Sequence, residues 1–247
     1  MPVQEAEVVR GGCLKHDREY AIINEQGNFV NGKSNPLVHL LRSTIDPEHE
    51  TISLRHELET GWNSFHLRLE RTALNSYLTE FFGKPVGLHQ NKEGRFLDIP
   101  DTSGMTVLSS TSLETVAGWF PDIHLEEIRR RFRATIEISG VPAFWEDRLF
   151  IEDGVAVKFR IGELTLFGMQ PRARCVVPTR HPATGEVIHA FPKTFSRQRL
   201  LHLPPGSTLE EYGHGYYLSV DCLIPPSEIG KKISIGDELQ IIGRTDL

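Results

Sequence analysis

Apolar and polar positions alternate in short runs along the first part of the chain, which is the pattern of strands. Glu19 to Asn24 is a short apolar run closing on Asn24-Glu25-Gln26-Gly27, a hairpin signal, and Asn28 to Asn31 is the expected returning strand. Thr51 to Leu58 reads TISLRHEL and places Ile52, Leu54 and, beyond His56, Leu58 on one face. Phe65, Leu67 and Leu69 repeat the alternation. Leu74 to Phe82 switches to helical spacing and stops at Gly83, with Pro85 behind it, a pair that ends helices.

Asn91 to Gly104 is polar and rich in turn formers, so a boundary is expected there, between a domain at 1–90 and a second at 91–247. Ser112 to Trp119 then predicts a helix, with Ser109 or Ser110 as its cap and Glu114 in its first turn. His124 to Arg131 predicts another, running from Glu126 and Glu127 to Arg129 and Arg130, the order a helix dipole favours. From Arg133 onward short strands dominate: Ala134–Ser139, Val155–Ile161, Leu164–Gly168, Tyr216–Ile224, Lys232–Ile235 and Glu238–Ile242. Strands at this density, parted by Gly and Pro, predict a mainly β (α+β) chain. The expected architecture is a β-barrel with a few helices, preceded by a β-rich domain.

Composition narrows the function classes. At 247 residues, with 39% hydrophobic and 24% charged positions, the chain has the balance of a globular protein with ample core. A net charge of −6 argues against nonspecific nucleic-acid binding, which needs a basic face. The local run Arg129, Arg130, Arg131 and Arg133 has an ordinary reading for its first three members, as a solvated helix end. No apolar run reaches the ~18 residues of a membrane helix. The opening MPVQEAEVVRGG has acids and no apolar core, so it does not read as a signal peptide. Three cysteines, Cys13, Cys175 and Cys222, are too few and too scattered for a disulfide framework, which suits a reducing cytoplasm. They also exclude an iron–sulfur cluster held by cysteines of this chain alone. The scattered histidines lack zinc-site spacing.

One motif misleads. Gly27-Asn28-Phe29-Val30-Asn31-Gly32-Lys33-Ser34 fits G-x-x-x-x-G-K-[ST], in which backbone amides cradle phosphates. That loop must lead into a long helix, yet Asn35-Pro36 follows at once, and a residue before proline is turned away from helix. Phe29-Val30 also reads as a returning strand. A nucleotide site therefore rests on the letters alone.

Cys175 is the candidate with chemistry around it. Arg172 and Arg174 stand just before it, and positive charge favours a thiolate, which is what a soft metal takes as ligand. A small buried hydrophobe is the competing reading. Cys13 and Cys222 lack such neighbours and read as structural; Cys222 lies in the apolar run LSVDCLI.

The order of several short segments resembles one family. These are Phe132-Arg133 with Ile136 and Ser139-Gly140; Glu146-Asp147; Ile161-Gly162-Glu163; Arg174-Cys175; and His181-Pro182-Ala183-Thr184-Gly185. Upstream stand His16-Asp17-Arg18, Tyr20-Ala21-Ile22-Ile23, Gly27, Phe29 and Pro36. Together they resemble the MOSC family, named for the C-terminal domain of molybdenum cofactor sulfurases and including the amidoxime-reducing components, with its N-terminal β-barrel domain. The resemblance covers nearly the whole chain. It implies that Cys175 is the protein's ligand to molybdenum, alongside the two sulfurs of a molybdopterin. Soft sulfur then holds the metal while an oxygen position stays open for oxygen-atom transfer. Arg18 and Arg133 match arginines that relatives use around the cofactor. Arg174 and the hydroxyl run Ser109, Ser110, Thr111 and Ser112 are further candidates for the pterin phosphate, although Arg18 also suits a surface ion pair and the hydroxyls suit plain capping. Glu146-Asp147 match an acidic pair that either moves protons or holds amides or an arginine. Lys33 falls where relatives often carry a basic residue.

Two departures bear on the cofactor. The sequence opens at Met1-Pro2-Val3, downstream of where relatives carry a Pro-[Val/Ile]-Lys-Ser strand whose lysine contacts the cofactor. Either an upstream start or a lost strand and anchor is expected. Arg133-Ala134-Thr135 replaces the usual Arg-x-Asn, so Thr135 keeps a hydroxyl and loses an amide. The implied activity is reduction of N-hydroxylated or related N–O compounds, with electrons from a separate donor protein, since no flavin, haem or iron–sulfur motif is visible. The alternative is a non-catalytic carrier of cofactor or sulfur, with persulfide on Cys175. The pyridoxal phosphate of sulfurases belongs to an aminotransferase-like domain outside this sequence, so none is expected here.

Overall fold

The computed structural model describes residues 3–93, 95–96, 105–152, 154–203 and 212–246. Met1, Pro2 and most of the expected boundary stretch from Asn91 to Gly104 lie outside them. In chain order the first strands are β1 (Glu5–Val9), β2 (Cys13–Leu14), β3 (Tyr20–Asn24), β4 (Leu41–Asp46), β5 (Thr51–His56) and β6 (Asn63–His66). Helix α1 (Arg71–Phe82), β7 (Val86–Gln90), β8 (Met105–Ser109), α2 (Ser110–Gly118), α3 (Leu125–Phe132) and β9 (Ile136–Ile138) follow. The remainder comprises β10 (Phe150–Glu152), β11 (Val155–Ile161), β12 (Leu164–Ala173), α4 (Phe191–Leu200), β13 (Tyr217–Leu223), β14 (Lys232–Ser234) and β15 (Leu239–Asp246). The protein is thus mainly β with four α-helices among the described residues. Their strands form several sheets, none of which closes on itself.

The chain folds into two compact units. The first holds Met1–Asp17, Leu97–Cys175 and His189–Leu247; the second holds Arg18–Phe96 and Val176–Ile188. In the first unit the main sheet runs β10-β11-β12-β13-β8-β9, with β15 also paired to β11. Strand β11, VAVKFRI, shows why: Val157, Phe159 and Ile161 point into the core while Lys158 and Arg160 point away. Leu164 and Leu166 of β12, and Val220 and Cys222 of β13, complete that core. Gly168 of β12 admits no side chain, because a Cβ there would lie 1.9 Å from the Leu149 carbonyl oxygen. This contact seats the short 3-10 turn Trp145–Leu149, which carries Glu146 and Asp147, against the sheet. A smaller sheet, β14-β1-β2, joins the two ends of the sequence.

The second unit contains the β4-β5-β6 meander and the β3-β7 pair. Helix α1 buries Leu74, Leu78 and Phe82, one face at four-residue spacing, in a core with Ile52, Leu54, Val86 and Leu88. Gly83 ends the helix in the left-handed region at φ 64. The expected return from Asn28 to Asn31 is reduced to a single bridge, Ile23 to Phe29. No helix among the described residues is long and apolar enough to cross a membrane.

Candidate functional site

Cys175 lies just past the end of β12, a half-buried free thiol. The β12–β13 ladder sets its position. Pro171 pairs with Val220 and Ala173 with Tyr217, so Arg172 faces two residues, Leu218 and Ser219. This β-bulge puts Ser219 at φ 72, uncommon for a residue with a side chain. Beyond the bulge the Arg174 N–H donates to the Tyr216 carbonyl at 2.9 Å. The bulge thus bends the sheet end where Arg172, Arg174 and Cys175 emerge.

Three guanidinium groups gather there. Arg172 Nη1 lies 3.1 Å from Asp221 Oδ1. Burial raises the Asp221 carboxyl above its usual range, against the pull of Arg172. Arg174 donates from Nη2 to the Phe132 carbonyl at 2.8 Å, and its guanidinium stands 5.3 Å from the Phe132 ring centre. Its Nε is enclosed and has no acceptor among the described residues. Burial, aided by the charge of Arg172, lowers the Arg174 pKa to about 10, so it stays cationic at neutral pH. Arg131 is 2% exposed and donates to Glu127 at 2.9 Å, one helical turn back. The reading of Arg131 as part of a solvated helix end is therefore corrected: α3 turns it inward, over the Phe191 ring. Tyr216 completes the group. It is 6% exposed, and its hydroxyl has no hydrogen-bond partner among the described residues. Burial pushes its phenol upward, opposed by Arg174 and Arg131, with Cys175 also in electrostatic range.

The other candidates divide by location. Arg133 caps α3 at φ 52 and is exposed, and the Phe132 carbonyl just before it is the one that Arg174 binds. The Thr135 N–H donates to the Thr106 hydroxyl at 3.0 Å, at the start of β9. Ser109 ends β8, at the same end of the sheet as Cys175, with β13 between the two strands. Its hydroxyl accepts from the Ser112 N–H at 3.0 Å and pairs with the Ser112 hydroxyl at 2.7 Å. Ser112 in turn accepts from the Phe144 N–H, and Thr111 donates to the Val141 carbonyl at 2.9 Å. Three hydroxyls of this run are thus engaged within the protein, and Ser110 is half-buried beside them.

Arg18 belongs to the second unit, at φ 51, and its carbonyl accepts from Phe96. Its neighbour Glu19 forms a buried pair with Arg95 at 3.0 Å. The His181–Gly185 motif lies in that unit too. Its turn is fixed by His181 Nδ1, which accepts from the Ala183 and Thr184 amides at 3.2 and 3.1 Å. The Gly27–Ser34 loop leads into a short 3-10 turn at Pro36–Leu40. Asn31 Oδ1 accepts from the Lys33 and Ser34 amides, which a phosphate would need.

Glu146 and Asp147 point into the first unit's interior. Both Asp147 oxygens accept from Arg199 Nη2, at 2.7 and 2.6 Å. Burial raises Asp147 and Arg199 opposes this. Glu146 is fully buried. Burial raises its pKa to about 7, against the opposing hydroxyls of Ser112 and Ser109 and reinforced by the charge of Asp147. Neither of its oxygens has a well-formed partner among the described residues.

Arg199 and Tyr216 were not expected from the sequence. A Glu127–Arg131 pair at i, i+4 was available as a signal for the buried Arg131. A lone tyrosine carries no comparable sign.

The family model of the MOSC N-terminal beta barrel domain matches residues 1–97, and that of the MOSC domain matches residues 98–240. Among individual relatives, mitochondrial amidoxime-reducing component 1 of Xenopus laevis is 26% identical over 234 residues. That match takes in 78% of this chain and 64% of the relative's length.

Proposed function

The chain belongs to the MOSC-domain family, and from that premise we propose that it is a molybdenum-cofactor reductase of N-hydroxylated and related N–O compounds. The observation that carries this reading is the set of open donors beside Cys175: an enclosed Arg174 Nε and a buried Tyr216 hydroxyl, neither with an acceptor. Buried donors without partners are costly and rare in finished interiors. Two of them near a thiol and a cluster of guanidinium groups fit a bound group rich in sulfur and anionic oxygen.

In this reading Cys175 supplies the sulfur that holds the metal, with Arg174 directly before it in the chain. Molybdenum, when bound, supplies two-electron oxygen-atom transfer. Arg174, with Arg133 and Thr135 of the same unit, holds the pterin and its phosphate, where guanidinium forks match anionic oxygens well. The run Ser109–Ser112 holds the start of α2 in place, and Ser110 offers the hydroxyl nearest to a ligand role. Electrons come from a separate donor protein. A cytoplasmic setting is consistent with three free thiols.

The test is purification from a host that makes the cofactor, with molybdenum counted by mass spectrometry and N–O reduction followed with a chemical electron donor. Wild-type protein is expected to bind metal and turn over, and Cys175→Ala to lose both. Metal-free wild-type protein, or a Cys175→Ala variant with full activity, overturns the reading. A sulfur adduct on Cys175 without turnover supports the carrier instead.

A further inference from the structure

We infer that the Tyr216 hydroxyl is a positioning donor, giving its hydrogen bond to an anionic oxygen of whatever group is held at Cys175. The inference rests on the reading just proposed. Everything else about this residue is already fixed by the protein. Its N–H donates to His214 Nδ1 at 3.2 Å, and its carbonyl accepts the Arg174 N–H at 2.9 Å. Its ring packs edge-on against Phe195, with centres 5.3 Å apart. Phenylalanine would meet those needs without burying a hydroxyl that has no partner. Arg174 and Arg131, its charged neighbours, are donors only and cannot accept its proton. The Cys175 sulfur is a weak acceptor. An oxygen carrying negative charge, placed among these groups, would accept from the phenol and from Arg174 Nε together. That oxygen comes either from the cofactor or from the N–O group of a substrate.

The experiment compares Tyr216→Phe with wild type, cofactor-free and loaded. Without cofactor, the variant is expected to melt at the same temperature as wild type or a few degrees higher, because an unpartnered buried hydroxyl has gone. When loaded, an oxygen of the cofactor predicts molybdenum lost about tenfold faster on dialysis and a smaller rise of melting temperature on loading. A substrate oxygen predicts unchanged molybdenum content with kcat/KM reduced about tenfold or more for the N–O compound. A cofactor-free variant that melts more than about 2 °C below wild type shows that the hydroxyl has a partner within the protein, and overturns the inference. So does a loaded variant equal to wild type in both retention and kinetics. Metal-free wild-type protein counts against the proposed reductase alone, and the cofactor-free melting comparison still decides for or against the tyrosine.

Discussion

Two clusters of buried charge meet at adjacent residues of the first unit, and they are finished differently. At Tyr217 the carbonyl accepts from Arg199 Nε at 3.3 Å, while at Tyr216 it accepts from the Arg174 amide. Arg199 has every nitrogen in use: Nη2 on both Asp147 oxygens, Nη1 on the His202 carbonyl at 3.0 Å and Nε on Tyr217. The Phe144 ring lies 4.4 Å from its guanidinium carbon. Arg174 has the Phe132 carbonyl as acceptor, while its Nε and the nearby Tyr216 hydroxyl have none. A protein that buries a cation for its own stability surrounds it with acceptors, because an unpaired charge in a poorly polarisable interior costs several kcal/mol. The Arg199 cluster is of that kind. The Arg174 cluster leaves two donors without acceptors among the described residues.

The contrast breaks most readily at Arg199. Arg199→Ala leaves the Asp147 carboxylate buried and uncompensated, so a loss of about 3–5 kcal/mol is expected in urea unfolding. Arg174→Met removes a buried cation with little internal pairing and keeps the bulk, so the cofactor-free protein is expected to change by only about 1 kcal/mol or less. Equal losses would mean that both arginines are structural.

How far these clusters were legible depends on what makes each. Strand β11 was readable to the residue, because Val157, Phe159 and Ile161 alternate with Lys158 and Arg160 and a glycine turn follows. Helix α4 was not. Its buried stripe is Phe191, Phe195 and Arg199, and an arginine in the third place leaves too few apolar residues for a periodic signal. Strand β8, MTVLS, is buried throughout and has no alternation to show. Cys175 and Arg174 stood out through local charge and the motif around them. Tyr216 and Arg199 gain their meaning from partners on other strands and helices, which no spacing along the chain encodes.

Glu146 tests whether a third buried group belongs with the finished cluster or the open one. Its pKa is about 7 in the folded protein against an ordinary 4.5. Between those values the native state keeps a proton that the unfolded chain has released. Its contribution to stability is therefore full below pH 4.5 and is lost as pH rises through about 7. Buried Asp147 and Asp221, also raised, act in the same direction. Glu146→Gln removes the ionisation, so at pH 8 it is expected to exceed wild type by on the order of 2–3 kcal/mol, with the gap closing toward pH 5. A variant less stable than wild type at pH 8 would show an ionised carboxylate well held by Ser109 and Ser112, which places Glu146 in the finished cluster.

The smallest effect sits on the bulge that bends the sheet toward Cys175. Ser219 holds φ 72 in strand β13 and buries a hydroxyl without a partner. Ser219→Gly removes both burdens but adds the backbone entropy of glycine to the unfolded chain. The balance is expected to be a gain of about 0.5 kcal/mol, read from the urea midpoint with an unchanged slope. Ser219→Val is expected to lose several times that amount, since a branched side chain resists the left-handed region. If glycine instead destabilises, the Ser219 hydroxyl has a role in the folded protein. The bulge would then belong with the self-satisfied Arg199 network rather than with the open donors beside Cys175.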